Sequence, residues 1–152
     1  MNLRRFDNST ALVCSDKSYS YADLDSMSDK AAALLLSRGI VAGDRVFVYL
    51  DRCVEYYFFV LGILKIGGIY SPLFSSFGQD AVMDRILDGG GSLVITQASL
   101  IENISDIPFV NASDIWDFEG QFLSGSLTFH DEEPAILHYT SGTTGKPKGA
   151  LH

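Results

Sequence analysis

Arg45-Val46-Phe47-Val48-Tyr49-Leu50 is an almost unbroken apolar run that follows the turn Gly43-Asp44. A strand with one wet face alternates apolar and polar residues. This run does not alternate, so it reads as a parallel strand covered on both faces. Beyond it, Arg52 to Ile66 reads as a helix ended by Gly67-Gly68, and Ile69 to Phe74 as a second strand. Phe77-Gly78 opens a second helix, roughly Gln79 to Leu87, and Asp88-Gly89-Gly90-Gly91 stops it before a third strand, Leu93-Val94-Ile95-Thr96. Strand, helix, strand, helix, strand with short connections is a βαβαβ unit, and right-handed crossovers make its sheet parallel. The expected fold class is therefore α/β, a layered parallel sheet with flanking helices. Pro72 has no N–H to give a ladder, so the second strand belongs at an edge or near its own end.

Upstream, Ala11-Leu12-Val13-Cys14 reads as a short strand, with a turn at Ser15-Asp16-Lys17 and a lead-in to a helix over Ser18-Tyr19-Ser20-Tyr21. Ser20 with Asp23 three residues on is a near capping box. Leu24, Met27, Ala31, Leu34 and Leu35 recur at helical spacing, and Arg38-Gly39 closes the helix. Downstream, residues 97–133 are less regular. A short helix is expected around Ala98–Ile104, a short strand at Phe109-Val110, and a helical turn from Ser113, as N-cap, to Phe118. Pro134 then precedes Ala135-Ile136-Leu137-His138-Tyr139, a strand that delivers the stretch after it.

The chain has 152 residues, 47% of them hydrophobic and 20% charged, enough for one ordered domain with a real core. A net charge of −8 excludes general nucleic-acid binding. Cys14 and Cys53 stand far apart and outside any CxxC, and read as two buried or half-buried thiols of a reducing compartment. No signal peptide is visible, so a cytoplasmic location is expected and the sequons at Asn8, Asn103 and Asn111 read as chance. The apolar stretch Cys53 to Tyr70 has nine uncharged residues between Glu55 and Lys65, about half of what a bilayer span needs. It reads as a buried helix.

The stretch with the densest chemistry is Tyr139-Thr140-Ser141-Gly142-Thr143-Thr144-Gly145-Lys146-Pro147-Lys148-Gly149. Glycines let backbone approach a ligand, the hydroxyls of Thr140, Ser141, Thr143 and Thr144 add donors, and Lys146 and Lys148 add charge. No acidic residue lies between Tyr139 and His152. Such a combination suits phosphate oxygens. The Walker A pattern does not fit: the residue five before Gly145 is Thr140, and Pro147 stands where a magnesium-binding Ser or Thr is required.

Thr140 to Gly149 match [ST]-[SG]-G-[ST]-[ST]-G-x-P-K-G without a departure, and this closely resembles the signature loop of the adenylate-forming enzymes: acyl-CoA synthetases, luciferases and peptide-synthetase adenylation domains. Ser20 to Asp25 also resembles the family's "TYxEL" opening, a structural element. Gly67 to Thr96 and Ile136 to His152 look most like acetate–CoA ligases and related short-chain synthetases. The resemblance implies an N-terminal portion of the large domain of such an enzyme, residues 1–152, ending just after a phosphate-binding loop at 140–149. It implies ATP with Mg2+, a small carboxylic acid, and CoA as co-substrate. The carboxylate attacks the α-phosphorus of ATP, giving an acyl-adenylate and pyrophosphate, and a thiol then displaces AMP. Thr140, Ser141, Gly142, Thr143, Thr144, Gly145, Lys146 and Lys148 are the expected phosphate contacts. Lys148 is preferred because it belongs to the fixed P-K-G, whereas Lys146 occupies a variable position.

The family's magnesium-binding Glu, adenine and ribose contacts and catalytic Lys are expected outside these residues. No catalytic residue and no metal ligand is assigned within them. Alone, the chain is expected to be inactive and to self-associate through apolar surface. A non-catalytic binding module that retains the loop is the competing reading, and a P-loop NTPase is disfavoured. His138 either lines the nucleotide pocket or, the preferred reading, points inward with a hydrogen-bond partner. His130 and His152 carry no assignment. Asp84-Arg85 is expected to be a structural ion pair, the Phe74 to Phe77 turn to pack into the core, and Asp131-Glu132-Glu133 to be a solvated turn.

Overall fold

The computed structural model describes residues 8–104, 106–120, 133–140 and 147–152. The chain opens with a hairpin of β1 (Thr10–Cys14) and β2 (Lys17–Ser20), paired antiparallel. The second strand is a correction. Residues 18–20 were expected only to lead into a helix, but Tyr19 lies across from Leu12 and its ring packs edge-on against Phe58. That long-range contact favours an extended backbone.

Helix α1 (Tyr21–Ser37) starts at the expected capping box: the Ser20 N–H donates to Asp23 Oδ2 at 2.8 Å, and the Asp23 N–H donates to Ser20 Oγ at 3.1 Å. The Ser20 N–H and, after it, the Ser20 hydroxyl, which donates to Asp23 Oδ2 at 2.7 Å, hold the Asp23 carboxyl below its ordinary pKa. Helix α2 (Val54–Lys65) lies against α1. Ala31, Ala32 and Ser28 meet Gly62, where an added Cβ would come within 2.7 Å of Ala31 Cβ. The far end is pinned by Lys65 Nζ, 2.8 Å from Asp25 Oδ1 and 2.5 Å from Asp29 Oδ1.

The central sheet contains β3 (Arg45–Leu50), β4 (Ile69–Phe74), β5 (Leu93–Thr96) and β6 (Phe109–Asn111), in the order β4-β3-β5-β6 and parallel throughout. The expected βαβαβ unit forms, and Phe109-Val110 extends its sheet. Helix α3 (Gln79–Asp88) covers the face opposite α1 and α2. Alternate residues of β3 enter two different cores: Val46, Val48 and Leu50 join Phe58, Phe59 and Ile63, while Phe47 and Tyr49 join Val82 and Ile86. The absence of alternation in residues 45–50 is thereby explained. Among the described residues no helix is long and apolar enough to cross a membrane.

Residues Ala98–Asn103 form a 3-10 helix, and α4 (Asp114–Asp117) follows β6. Ser113 occupies the N-cap position of α4, as expected, but its side chain makes no capping hydrogen bond. Its backbone is already helical and its hydroxyl donates to Asn111 Oδ1 at 3.0 Å, a local side-chain acceptor that competes with the helix end.

Candidate functional site

Pro72 explains where the site begins. β4 is an edge strand of its sheet, and its Tyr70 N–H donates outward to Ala135 O at 3.0 Å. Alternate N–H groups of a strand face the same side, so the next outward donor would come from Pro72, which has none. Pairing along that edge stops there, with one bridge between Tyr70 and Ile136. The chain leaves as β7 (Leu137–Thr140), held by Ser71 Oγ, which donates to Leu137 O at 2.8 Å from a buried position.

β7 does not run alone. It pairs antiparallel with β8 (Lys148–Leu151), in the register Leu137 to Leu151, His138 to Ala150, Tyr139 to Gly149 and Thr140 to Lys148. One strand was expected before the Thr140–Gly149 stretch; the structure has one on each side. Of the eight expected phosphate contacts, Thr140 and Lys148 are brought face to face, and both are exposed. Ser141, Gly142, Thr143, Thr144, Gly145 and Lys146 lie outside the described residues. So do His130 and residues 131 and 132 of the acidic turn, while Glu133 is exposed. Gly149 has a role that sequence reasoning missed. A Cβ there would lie 3.0 Å from Leu137 Cδ1 and 3.2 Å from Tyr139 Cζ, so this glycine is a seat for the opposing ring.

Beside β7 lies a cleft of about 330 Å³. Tyr70, Phe74, Phe77, Arg85, His138 and Tyr139 contribute to its walls. Three expectations are corrected there. His138 is exposed and lines the cleft, because β7 continues past the sheet edge and only its neighbour Leu137 is buried. The Phe74–Phe77 turn is core at one end only: Phe77 is half-buried and packs against the cluster of Val82 and Ile86, whereas Phe74 is 64% exposed and meets the Phe77 ring edge-on at 5.2 Å. Among the described residues no Asp84–Arg85 ion pair forms. Adjacent helix positions diverge, and the Arg85 guanidinium sits 4.4 Å over the Phe77 ring and donates to Ala81 O. On the wall, the Tyr56 and Tyr70 hydroxyls hydrogen-bond to each other, and burial pushes the Tyr70 phenol well above its ordinary pKa.

Ligands of open parallel sheets gather at the carboxyl ends of strands, at the point where strand order reverses. Here that point lies between β3 and β5, and side chains bridge it: the Asp51 N–H donates to Gln97 Oε1 at 3.1 Å and Gln97 Nε2 to Asp51 Oδ2 at 2.7 Å. A wider cleft of about 730 Å³ opens instead between the ends of β3 and β4, among Arg52, Cys53, Tyr57 and Ser75. The aromatic density of Tyr56-Tyr57 and Phe74–Phe77 was the sequence signal for both clefts. The Cys53 thiol is pushed up to about 11, first by burial. It and Cys14 are free thiols, each half-buried. Among the described residues no group of three or more His, Cys, Asp or Glu could hold a metal ion.

Comparison with known proteins agrees with this geometry. Residues 1–152 match the family described as AMP-binding enzyme. Acetyl-coenzyme A synthetase of Bacillus subtilis (strain 168) is 34% identical over 156 residues, covering 90% of this chain and 27% of that protein. Surfactin synthase subunit 3 of the same organism is 30% identical over 145 residues, covering 93% of this chain and 11% of that protein. The chain thus spans about a quarter or less of the length of these relatives. Among solved structures, the Klebsiella oxytoca NpsA N-terminal subdomain in complex with 3-hydroxybenzoyl-AMSN superposes with a TM-score of 0.88 at 25% identity, over 97% of this chain and 38% of that one. The o-succinylbenzoate coenzyme A synthetase of Bacillus subtilis, in complex with AMP, superposes with a TM-score of 0.84 at 23% identity, over 92% of this chain and 37% of that one. Signature, parallel sheet and matches converge: the chain has the fold of the N-terminal part of adenylate-forming enzymes and belongs to the AMP-binding enzyme family.

Proposed function

We propose that residues 1–152 are the first part of the AMP-binding domain of an ATP-dependent acid–CoA ligase, acting in the cytoplasm on acetate or another short-chain acid. The observation that carries this reading is the hairpin register, which sets exposed Thr140 opposite exposed Lys148 at the two ends of a stretch with the complete signature. The identity to acetyl-coenzyme A synthetases supports the choice of acid and of CoA.

In this reading the loop 140–149 holds the negative charge that builds on pyrophosphate as it leaves. Backbone N–H groups around Gly142 and Gly145 and the hydroxyls of Thr140, Ser141, Thr143 and Thr144 donate to phosphate oxygens. Lys148, with Lys146, supplies the charge-assisted contacts, each contributing about 1.5–3 kcal/mol. Magnesium, when bound, adds positive charge at the phosphates, and its protein ligand is assigned outside these residues.

Calorimetric titration of the chain with MgATP and with pyrophosphate tests the loop. Saturable binding that Lys148→Ala weakens is expected; no nucleotide-dependent stabilisation would favour a non-catalytic module that keeps the loop as a fold element. The acid is tested in a protein that carries this segment at its relatives' length. Acetate-dependent pyrophosphate release, followed by CoA-dependent AMP release, is expected there. The similarity to surfactin synthase favours a second reading, adenylation of an amino acid. Amino-acid-dependent pyrophosphate release without a need for CoA would establish it instead.

A further inference from the structure

The hairpin β7–β8 meets the C-terminal end of α3 at a place built from an unusual choice of residues. Asp88 is the last residue of α3, where the helix macrodipole disfavours a carboxylate. The Tyr139 hydroxyl, 51 positions along the chain, donates to its Oδ2 at 2.7 Å. Burial, then this bond, raises the Tyr139 phenol above its ordinary pKa. The next residue, Gly89, leaves the space the ring needs: a Cβ there would lie 3.0 Å from Tyr139 Oη and 2.9 Å from Leu137 Cδ2. Gly149 does the same from the opposite strand, with an added Cβ 3.2 Å from Tyr139 Cζ. The ring is thus wedged between two glycines and tied at its tip, one residue before Thr140 and directly across from the residue after Lys148. On its other side the strand is held by Ser71.

We propose that Asp88 and Tyr139 form a latch on the hairpin β7–β8, Asp88 acting through Tyr139 to hold Thr140 and Lys148 in register for phosphate. The proposal rests on the phosphate-loop reading above for its consequence, but not for its geometry. Neither residue touches the ligand; both are positioning residues. The hydrogen bond is at the surface, so its loss loosens the hairpin without unfolding the sheet.

The test uses the whole 152-residue chain with Tyr139→Phe, Asp88→Ala and Asp88→Asn. Amide hydrogen exchange over 148–151 is followed together with MgATP affinity and the urea midpoint. Tyr139→Phe keeps the wedged ring and removes the donor; Asp88→Asn keeps an acceptor and removes the charge. The first two variants are expected to speed exchange of β8 and weaken MgATP binding, each about tenfold, while the urea midpoint moves little. Asp88→Asn is expected to restore both readouts, which a general loss of charge or of packing would not allow. Unchanged β8 exchange in Tyr139→Phe and Asp88→Ala overturns the latch, as does an Asp88→Asn protein no better than Asp88→Ala. If β8 exchange responds as expected but the unsubstituted chain binds no MgATP, the latch stands and the phosphate-loop reading fails. If that chain binds MgATP and exchange does not respond, the reverse holds.

Discussion

The sheet β4-β3-β5-β6 and the hairpin β7–β8 are both made of short strands, and they are held by different physics. In the sheet, Val46, Phe47, Val48 and Tyr49 are fully buried between two helical layers. In the hairpin every residue of β8 is exposed, and of β7 only Leu137 is buried. The sheet is stabilised by apolar area removed from water, the hairpin by ladder hydrogen bonds, the Ser71 and Asp88 contacts and the space left by two glycines. Residues that build the fold are unavailable to a ligand. Residues offered to a ligand contribute little to the fold. Substitutions in the two regions should therefore separate stability from binding.

The comparison is tested most severely in the core. Phe58 is fully buried under the sheet, so Phe58→Ala should cost about 3–5 kcal/mol in urea unfolding. A loss under about 1 kcal/mol, the level of an exposed site, would break the contrast. The helical layer is next. Gly62→Ala forces a Cβ within 2.7 Å of Ala31 Cβ and 2.9 Å of the Ala32 backbone nitrogen. A cost of roughly 1–3 kcal/mol is expected. A neutral or stabilising result would mean that α1 and α2 part easily.

A smaller effect, about 1 kcal/mol, is expected for Ser20→Ala, which removes the acceptor that caps α1. Its pH dependence has a defined sign. The folded-state pKa of Asp23 is depressed, so the carboxylate's part of the box contributes fully above the unfolded-state value and is lost as pH falls through the folded-state one. The gap between the urea midpoints of wild type and Ser20→Ala should narrow as pH falls from about 7 through the carboxylate range, leaving the part due to the Asp23 N–H to Ser20 Oγ bond, which does not titrate. A gap that stays constant would assign the whole loss to the bond that Ser20 Oγ accepts from the Asp23 N–H, and none to the carboxylate. The smallest stability effect belongs to the hairpin. Lys148→Ala should move unfolding by less than about 0.5 kcal/mol while weakening MgATP about tenfold. A large stability loss with no change in affinity would show the lysine to be structural, and would erase the distinction between the regions.

Residues 45–96 were legible because pattern and environment coincide there. Continuous apolar strands and glycine stops each have one good physical solution, and β3, β4 and β5 have the bounds the sequence suggested; the Ser20–Asp23 box upstream is legible for the same reason. The signature stretch was legible as a mark of the family, which the match over residues 1–152 bears out, and its hydroxyls, lysines and glycines are the basis of the phosphate reading proposed above. What escaped was decided by contacts remote in sequence. β2 is a strand because β1 lies beside it and Tyr19 has Phe58 to pack on. His138 faces a cleft because the edge of β4 fails at Pro72 and releases β7 from the sheet. Gly149 is a seat for Tyr139, although its neighbours suggested a ligand approach.

By itself, then, the sequence determined the parallel sheet, the helices that flank it and the capping box of α1, since those follow from periodicity, caps and residue chemistry within short windows. Only the tertiary structure decided that Leu137–Thr140 and Lys148–Leu151 pair as two strands, that Asp88 meets Tyr139, and that Phe74 is exposed beside a cleft. Those outcomes depend on which distant surfaces meet, and no local pattern encodes them.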